Sequence, residues 1–292
     1  MRDVTNWTFI SHGEKSTLEK VELLSPDENE YIMKYPRELS GDRVNWEDVN
    51  EVIGAKIAQL LNLKTVEAEI AYRNGKRGCL MLHFLRQYDA DQGEPGAGLL
   101  SAFFGEEYEG IQNSDLNSFE LLIQAFNLIE RYPVFNLVKY EYISMNVFDI
   151  LIGNQDRHPF NWQLLFKGND VFFGPLYDNG ASLGWQLPEQ RLEKIIQKEE
   201  EMLKLYKKMK VKIGLIENTQ PPIKAQDVLE YCKMHFPNEI RQVLINLEEF
   251  NLEAYNDFID TFPLISTVRK HFLKEFIRQR INKIIFDLRK GG

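Results

Sequence analysis

A chain of 292 residues with 43% hydrophobic and 27% charged side chains can bury one large core or two smaller ones, which excludes wholesale disorder. Its 44 acidic and 35 basic residues give a formal charge of −9, so direct nucleic-acid binding is disfavoured, although a local cleft for one nucleotide is not. Cys79 and Cys232 make neither a disulfide framework nor a metal knuckle. There is no signal-type leader in residues 1–10 and no apolar run near the ~20 residues that span a bilayer, so a soluble cytoplasmic protein without a membrane partner is expected.

In chain order, residues 7–10, 18–24 and 31–35 are short and rich in β-forming residues, with turn chemistry in Ser25-Pro26-Asp27-Glu28-Asn29. Residues 46–61 place Val49, Ile53, Ile57, Leu60 and Leu61 at helical spacing. Strands at 66–72 and 78–84 follow, joined by the hairpin signal Asn74-Gly75. The glycine-, proline- and acid-rich stretch 89–98 reads as a loop, and a boundary near it divides the chain into 1–88 and 89–292.

Beyond that boundary the pattern is helical at 116–131 and 136–153, the second through Tyr140, Ile143, Val147 and Leu151. Strands at 162–166 and 171–173 flank Lys167-Gly168-Asn169-Asp170 as a compact hairpin. From Glu189 onward helical spacing returns, for example in Phe272, Phe276, Ile281, Ile285 and Leu288. The basic run Lys204, Lys207, Lys208, Lys210 and Lys212 and the acidic run at 199–201 read as solvated helix faces; Trp46, Trp162 and Trp185 read as packing residues. The fold class is α+β, in the order strand-rich lobe with one helix, hinge, helical lobe with one hairpin.

The polar run Gly153-Asn154-Gln155-Asp156-Arg157-His158-Pro159-Phe160-Asn161-Trp162 lies between an apolar helix and the hairpin, which makes it a loop. Asp156 and Asn161 alone could be turn residues. Their five-residue spacing is also that of the base and the metal-binding Asn of protein kinases. The hairpin returns the chain so that Asp178, in Pro175-Leu176-Tyr177-Asp178-Asn179-Gly180, falls beside Asn161. An amide and a carboxylate with nucleotide phosphates form an oxygen shell suited to Mg²⁺.

These two runs resemble the HipA-like family of bacterial Ser/Thr kinases, including its shorter CtkA-like members. The resemblance implies a bilobal protein-kinase-like fold, ATP and Mg²⁺ as cofactors, Asp156 as catalytic base, and Asn161 and Asp178 as metal ligands. Arg157 and His158 become further residues of the catalytic loop. Lys34, in Tyr31-Ile32-Met33-Lys34-Tyr35-Pro36, would contact the α- and β-phosphates, with Glu51 as the helix acid that pairs with it. Leu82, His83 and Phe84 would meet the adenine. Ser11-His12-Gly13-Glu14-Lys15-Ser16-Thr17 resembles the phosphate loop, which brings Ser11, Gly13 and Lys15 to the nucleotide and makes Ser11 or Ser16 an autophosphorylation site. The match spans roughly residues 7–290, without a GxGxxG fingerprint and without the extra N-terminal subdomain of full-length members.

The expected function is phosphoryl transfer to a Ser/Thr hydroxyl of a protein by a regulatory or toxin-type kinase, with an antitoxin-like protein as partner. Two alternatives stay open at this level: a lipid head group or other small molecule as acceptor, and a nucleotide-binding pseudokinase that acts by interaction.

Overall fold

The computed structural model describes residues 1–13, 18–39, 43–217 and 222–290. The chain opens with β1 (Arg2–Asp3), β2 (Thr8–His12), β3 (Lys20–Leu24), β4 (Glu30–Lys34) and a small ladder of β5 (Glu38–Leu39) with β6 (Arg43–Val44). Helix α1 (Glu47–Leu60), β7 (Ala68–Arg73) and β8 (Lys76–Leu82) follow. A six-stranded sheet has the order β1-β7-β8-β4-β3-β2, antiparallel except for the β1–β7 pair.

The period-2 alternation of the strands decides which face each side chain meets. Val21, Leu23, Met33 and Leu80 join a small core on one face with Val4, Tyr35 and Ala71. Ile70, Cys79 and Met81 point to the opposite face, into the larger core shared with Val49, Ile53 and Ile57 of α1. Lys34 pairs in register with Cys79, so it shares the face that looks toward α1. Arg77 of β8 clamps the buried Asp48 with two hydrogen bonds, at 2.6 and 3.0 Å, and fixes the start of α1 against the sheet.

The second half begins with α2 (Phe84–Gln87), β9 (Gln92–Pro95), α3 (Gly96–Phe104), α4 (Glu106–Gln112), α5 (Ser118–Ile129) and α6 (Phe135–Ile152). A 3-10 turn at Pro159–Asn161 leads into β10 (Gln163–Lys167) and β11 (Asp170–Phe173). Then come α7 (Glu189–Ile196), α8 (Glu199–Lys207), the β12 (Lys210–Val211) and β13 (Ile223–Lys224) ladder, α9 (Ala225–His235), α10 (Pro237–Glu248), α11 (Leu252–Thr261) and α12 (Thr267–Arg289). The α12 stripe expected from spacing buries Phe272, Phe276, Ile281 and Leu288 in the larger core.

Two local expectations change. Residues 89–98 are not simply a loop: β9 pairs antiparallel with β10, making a three-stranded sheet β11-β10-β9. The strand expected at 78–84 ends at Leu82, and Phe84 instead begins α2. Between the halves, the Leu176 carbonyl accepts from Val66 N–H at 3.2 Å and Thr65 Oγ1 at 3.1 Å, and Leu176 N–H donates to the Lys64 carbonyl at 2.8 Å. The segment leading to Asp178 is thereby stitched to the chain that leaves α1. Among the described residues no helix is long and apolar enough to cross a membrane.

Candidate active site

Helix α6 ends at Gly153, whose φ of +73° is the left-handed geometry that closes a helix without a Cβ penalty. One turn earlier, Asp149 carries a carboxylate inside an apolar run, and a buried charge needs a partner. That partner is Arg157, 1% exposed, with Nε 3.0 Å from Asp149 Oδ2 and Nη2 3.0 Å from Oδ1. Asn154, also buried, donates from Nδ2 to Asp149 Oδ1 at 2.9 Å. Burial raises the Asp149 carboxyl above its usual range, against the pull of Arg157.

The rest of the Arg157 guanidinium organises two loops. Nη1 donates to the Asn161 carbonyl at 2.7 Å and to the Tyr177 carbonyl, while Nη2 donates to Asn179 Oδ1 at 2.7 Å. One side chain therefore ties the loop of Asp156 and Asn161 to the loop of Asp178. Asp178 itself has φ +59°, a left-handed conformation that Asp tolerates better than most residues. Asn161 Nδ2 donates to the Asp156 carbonyl at 3.0 Å, and its carboxamide oxygen accepts no hydrogen bond among the described residues.

From the sheet side, Lys34 Nζ reaches Asp178 Oδ1 at 2.9 Å. Burial works against the ammonium, but the carboxylates of Asp178 and Glu51 outweigh it and raise the Lys34 pKa. Burial likewise works against the Asp178 carboxylate, but Lys34 and Arg157 hold it below the usual range. Glu51 makes a different contact from the one expected. Its Oε2 accepts from the Asn179 backbone N–H at 2.6 Å, and the ion pair to Lys34 belongs to Asp178 instead. Asn50 beside it donates to the Ser182 carbonyl at 2.7 Å, so consecutive residues of α1 clamp the 178–182 loop.

Asp156 is half exposed, and its Oδ1 accepts from Lys212 Nζ at 2.6 Å. Lys212 is 3% exposed and follows β12; it is not part of a solvated helix face. His158 donates its backbone N–H to the Asp156 carbonyl at 2.8 Å, and its buried Nδ1 has no hydrogen-bond partner among the described residues. Burial lowers the His158 pKa, and Lys212 and Arg157 lower it further, against the carboxylates of Asp156 and Asp178.

The expected adenine edge is largely committed within the chain. Leu82 N–H donates to Glu67, His83 N–H donates to Glu30, and the His83 carbonyl accepts from Arg86 and Gln87. Among the described residues, the Leu82 carbonyl and the N–H of Phe84 at the start of α2 are in no such bond. The Phe84 ring stacks on Tyr177 with centroids 5.9 Å apart, and Lys34 Nζ stands 5.9 Å from the Tyr177 centroid on the way to Asp178. A cavity of about 850 Å³ borders this segment, lined by Glu30, Glu67, Leu82, His83 and Arg86.

Ser11 is a residue of β2, not of a loop, and its hydroxyl donates to Glu22 Oε2 at 2.7 Å. Gly13 N–H pairs with the Lys20 carbonyl at 3.1 Å. Lys15 and Ser16 lie outside the described residues.

Among the described residues no cluster of three or more His, Cys, Asp or Glu could hold a metal by itself. Asn161 and Asp178 each offer a hard side-chain oxygen on the two loops that Arg157 ties together through backbone carbonyls, and that donor chemistry fits a magnesium ion whose shell is completed by phosphate oxygens. The sequence singled out neither Asp149 nor Lys212 as a site residue, and Lys212 read there as part of a solvated helix face. A carboxylate in the apolar run of α6 was a readable signal for the first; nothing local marked the second.

A mostly antiparallel sheet with one clamping helix, set on a helical half whose loop and hairpin meet the sheet's lysine, is a protein-kinase-like fold. The chain belongs to the HipA-like C-terminal domain family, whose model matches residues 13–239. Among solved structures it is similar to the proinflammatory kinase CtkA of Helicobacter pylori, at 18% identity over 99% of both chains with a TM-score of 0.78. It is also similar to HipA of Shewanella oneidensis, solved with HipB and operator DNA, at 14% identity with a TM-score of 0.55, covering 95% of this chain and 66% of that one. Comparison with curated proteins returns no match.

Proposed function

We propose that this protein is an ATP- and Mg²⁺-dependent kinase that transfers the γ-phosphoryl group to a Ser/Thr hydroxyl of a protein. The observation that carries the reading is the Arg157 guanidinium, which fastens the Asp156–Asn161 loop and the Asp178 loop into one unit opposite Lys34. Phosphoryl transfer needs positioning and charge neutralisation more than covalent chemistry, and a buried, multiply bonded hub supplies rigidity of that kind.

In this reading Asp156 accepts the proton of the acceptor hydroxyl as the acceptor oxygen bonds to the γ-phosphorus. The bond from that phosphorus to the β–γ bridging oxygen breaks, and ADP leaves. Asn161 and Asp178 would hold Mg²⁺, which when bound neutralises phosphate charge. Lys34 offers its ammonium to the same phosphates, and the Phe84 N–H and ring face the adenine. The HipA relative was solved with HipB; on that analogy we include an antitoxin-like protein partner and a regulatory or toxin-type role in the cytoplasm.

The test is incubation of the purified chain with γ-labelled ATP, Mg²⁺ and a bacterial lysate, followed by separation of protein from extracted small molecules. Label on protein Ser or Thr is expected. Label confined to a lipid or small-molecule fraction would move the acceptor to that class, and no transfer with nucleotide binding intact would favour the pseudokinase alternative.

A further inference from the structure

Lys212 is buried while its partner Asp156 is half exposed, an unusual division for an ion pair. Burying an ammonium is costly, and a surface carboxylate can be satisfied by water at no such cost. The loop that carries Lys212 is also built around this contact. Its Gly214 N–H donates to the Arg157 carbonyl at 2.8 Å, inside the loop of Asp156. Tyr142 Oη donates to the Ile213 carbonyl at 2.5 Å, and the Trp162 indole donates to the Gly214 carbonyl at 2.7 Å.

The backbone is strained where Lys212 is presented. Ile213 has φ +53°, a conformation that a β-branched residue rarely adopts, and Gly214 follows at φ +72°. A Cβ at Gly214 would stand 2.9 Å from Trp162 Nε1 and 3.0 Å from Met145 Cε, so the approach to the Asp156 loop admits only glycine. Three hydrogen bonds and a strained turn thus hold one lysine against one carboxylate.

We infer that Lys212 is a positioning residue for phosphoryl transfer, acting through Asp156. It fixes one carboxylate oxygen, which sets the side-chain rotamer and leaves Oδ2 to receive the acceptor proton. This rests on the proposed kinase activity, and its role is separable from nucleotide binding because Lys212 bonds neither Lys34 nor Asp178.

The experiment measures Mg-ATP turnover and Mg-ADP affinity for the wild type, Lys212→Met, Lys212→Gln, Asp156→Ala and the Lys212→Met/Asp156→Ala pair. A displaced reactive group costs about a hundredfold, so kcat should fall by roughly that factor in both Lys212 variants while the KM for ATP and the ADP affinity stay put. Adding Lys212→Met to Asp156→Ala should cause no further loss, because the two act as one unit. Full kcat in the Lys212 variants beside an active wild type would overturn this inference alone. Loss of ADP affinity or of folding in both variants would make Lys212 structural and overturn it as well. A wild type that turns over no ATP would overturn both readings.

Discussion

The ammonium of Lys34 and the carboxylate of Asp178 lie 2.9 Å apart although 144 residues separate them along the chain. Each is charged against the pull of burial, and each keeps the other charged. The pair joins the sheet to the second half at the point where nucleotide phosphates would enter. Any metal on Asp178 must share that carboxylate with Lys34.

Replacing Lys34 with Met removes the cation that the phosphates would meet and leaves Asp178 without its partner. Loss of a pre-placed electrostatic contact of this kind typically lowers turnover by about a hundredfold or more. Steady-state kcat/KM for Mg-ATP should show that loss. Unchanged turnover would remove Lys34 from the site.

Arg157→Met strands the Asp149 carboxylate, which is 2% exposed, and frees the Asn161, Tyr177 and Asn179 oxygens at once. Breaking a buried ion pair on one side costs about 3–5 kcal/mol. Urea unfolding followed by far-UV circular dichroism should show a loss of that size. A loss below about 1 kcal/mol would mean the hub is not rigid.

The order of elements was legible in the sequence because apolar spacing and turn chemistry agree there. Tyr140, Ile143, Val147 and Leu151 mark α6, and Lys167-Gly168-Asn169-Asp170 marks the turn of the β10–β11 hairpin. Three of the failures share one cause, a partner distant in sequence. Gln92-Gly93-Glu94-Pro95 contains no β-former and becomes a strand only because β10 offers an open edge. Lys212 looked like one more solvated lysine because its burial depends on Asp156, 56 residues earlier. Glu51 lay at a readable helix position, but local sequence does not distinguish a carboxylate aimed at Lys34 from one aimed at the Asn179 N–H.

Alkaline pH should destabilise the fold through its buried phenols. Burial raises the pKa of Tyr255, which is fully buried and donates to the Leu273 carbonyl at 3.3 Å. The free phenol ionises near 10, so above about pH 10 the unfolded chain holds fewer protons than the folded one, and stability falls as pH rises. Tyr255 contributes a slope of about 1.4 kcal/mol per pH unit in that window. In urea unfolding from pH 8 to 12, Tyr255→Phe should match the wild type below about pH 9 and lose stability less steeply above about pH 10, and identical slopes there would show that Tyr255 ionises freely in the folded state.

On the proposed mechanism Asp156 serves transfer and Asp178 serves nucleotide capture. Mg-ADP binding and labelled phosphate transfer, measured side by side for the wild type, Asp156→Ala and Asp178→Ala, separate the two roles. Asp156→Ala should bind Mg-ADP as the wild type does and lose transfer by roughly a thousandfold, within the range of general-base deletions. Asp178→Ala should lose the magnesium-dependent part of binding. Equal transfer by all three proteins would remove both carboxylates from the chemistry.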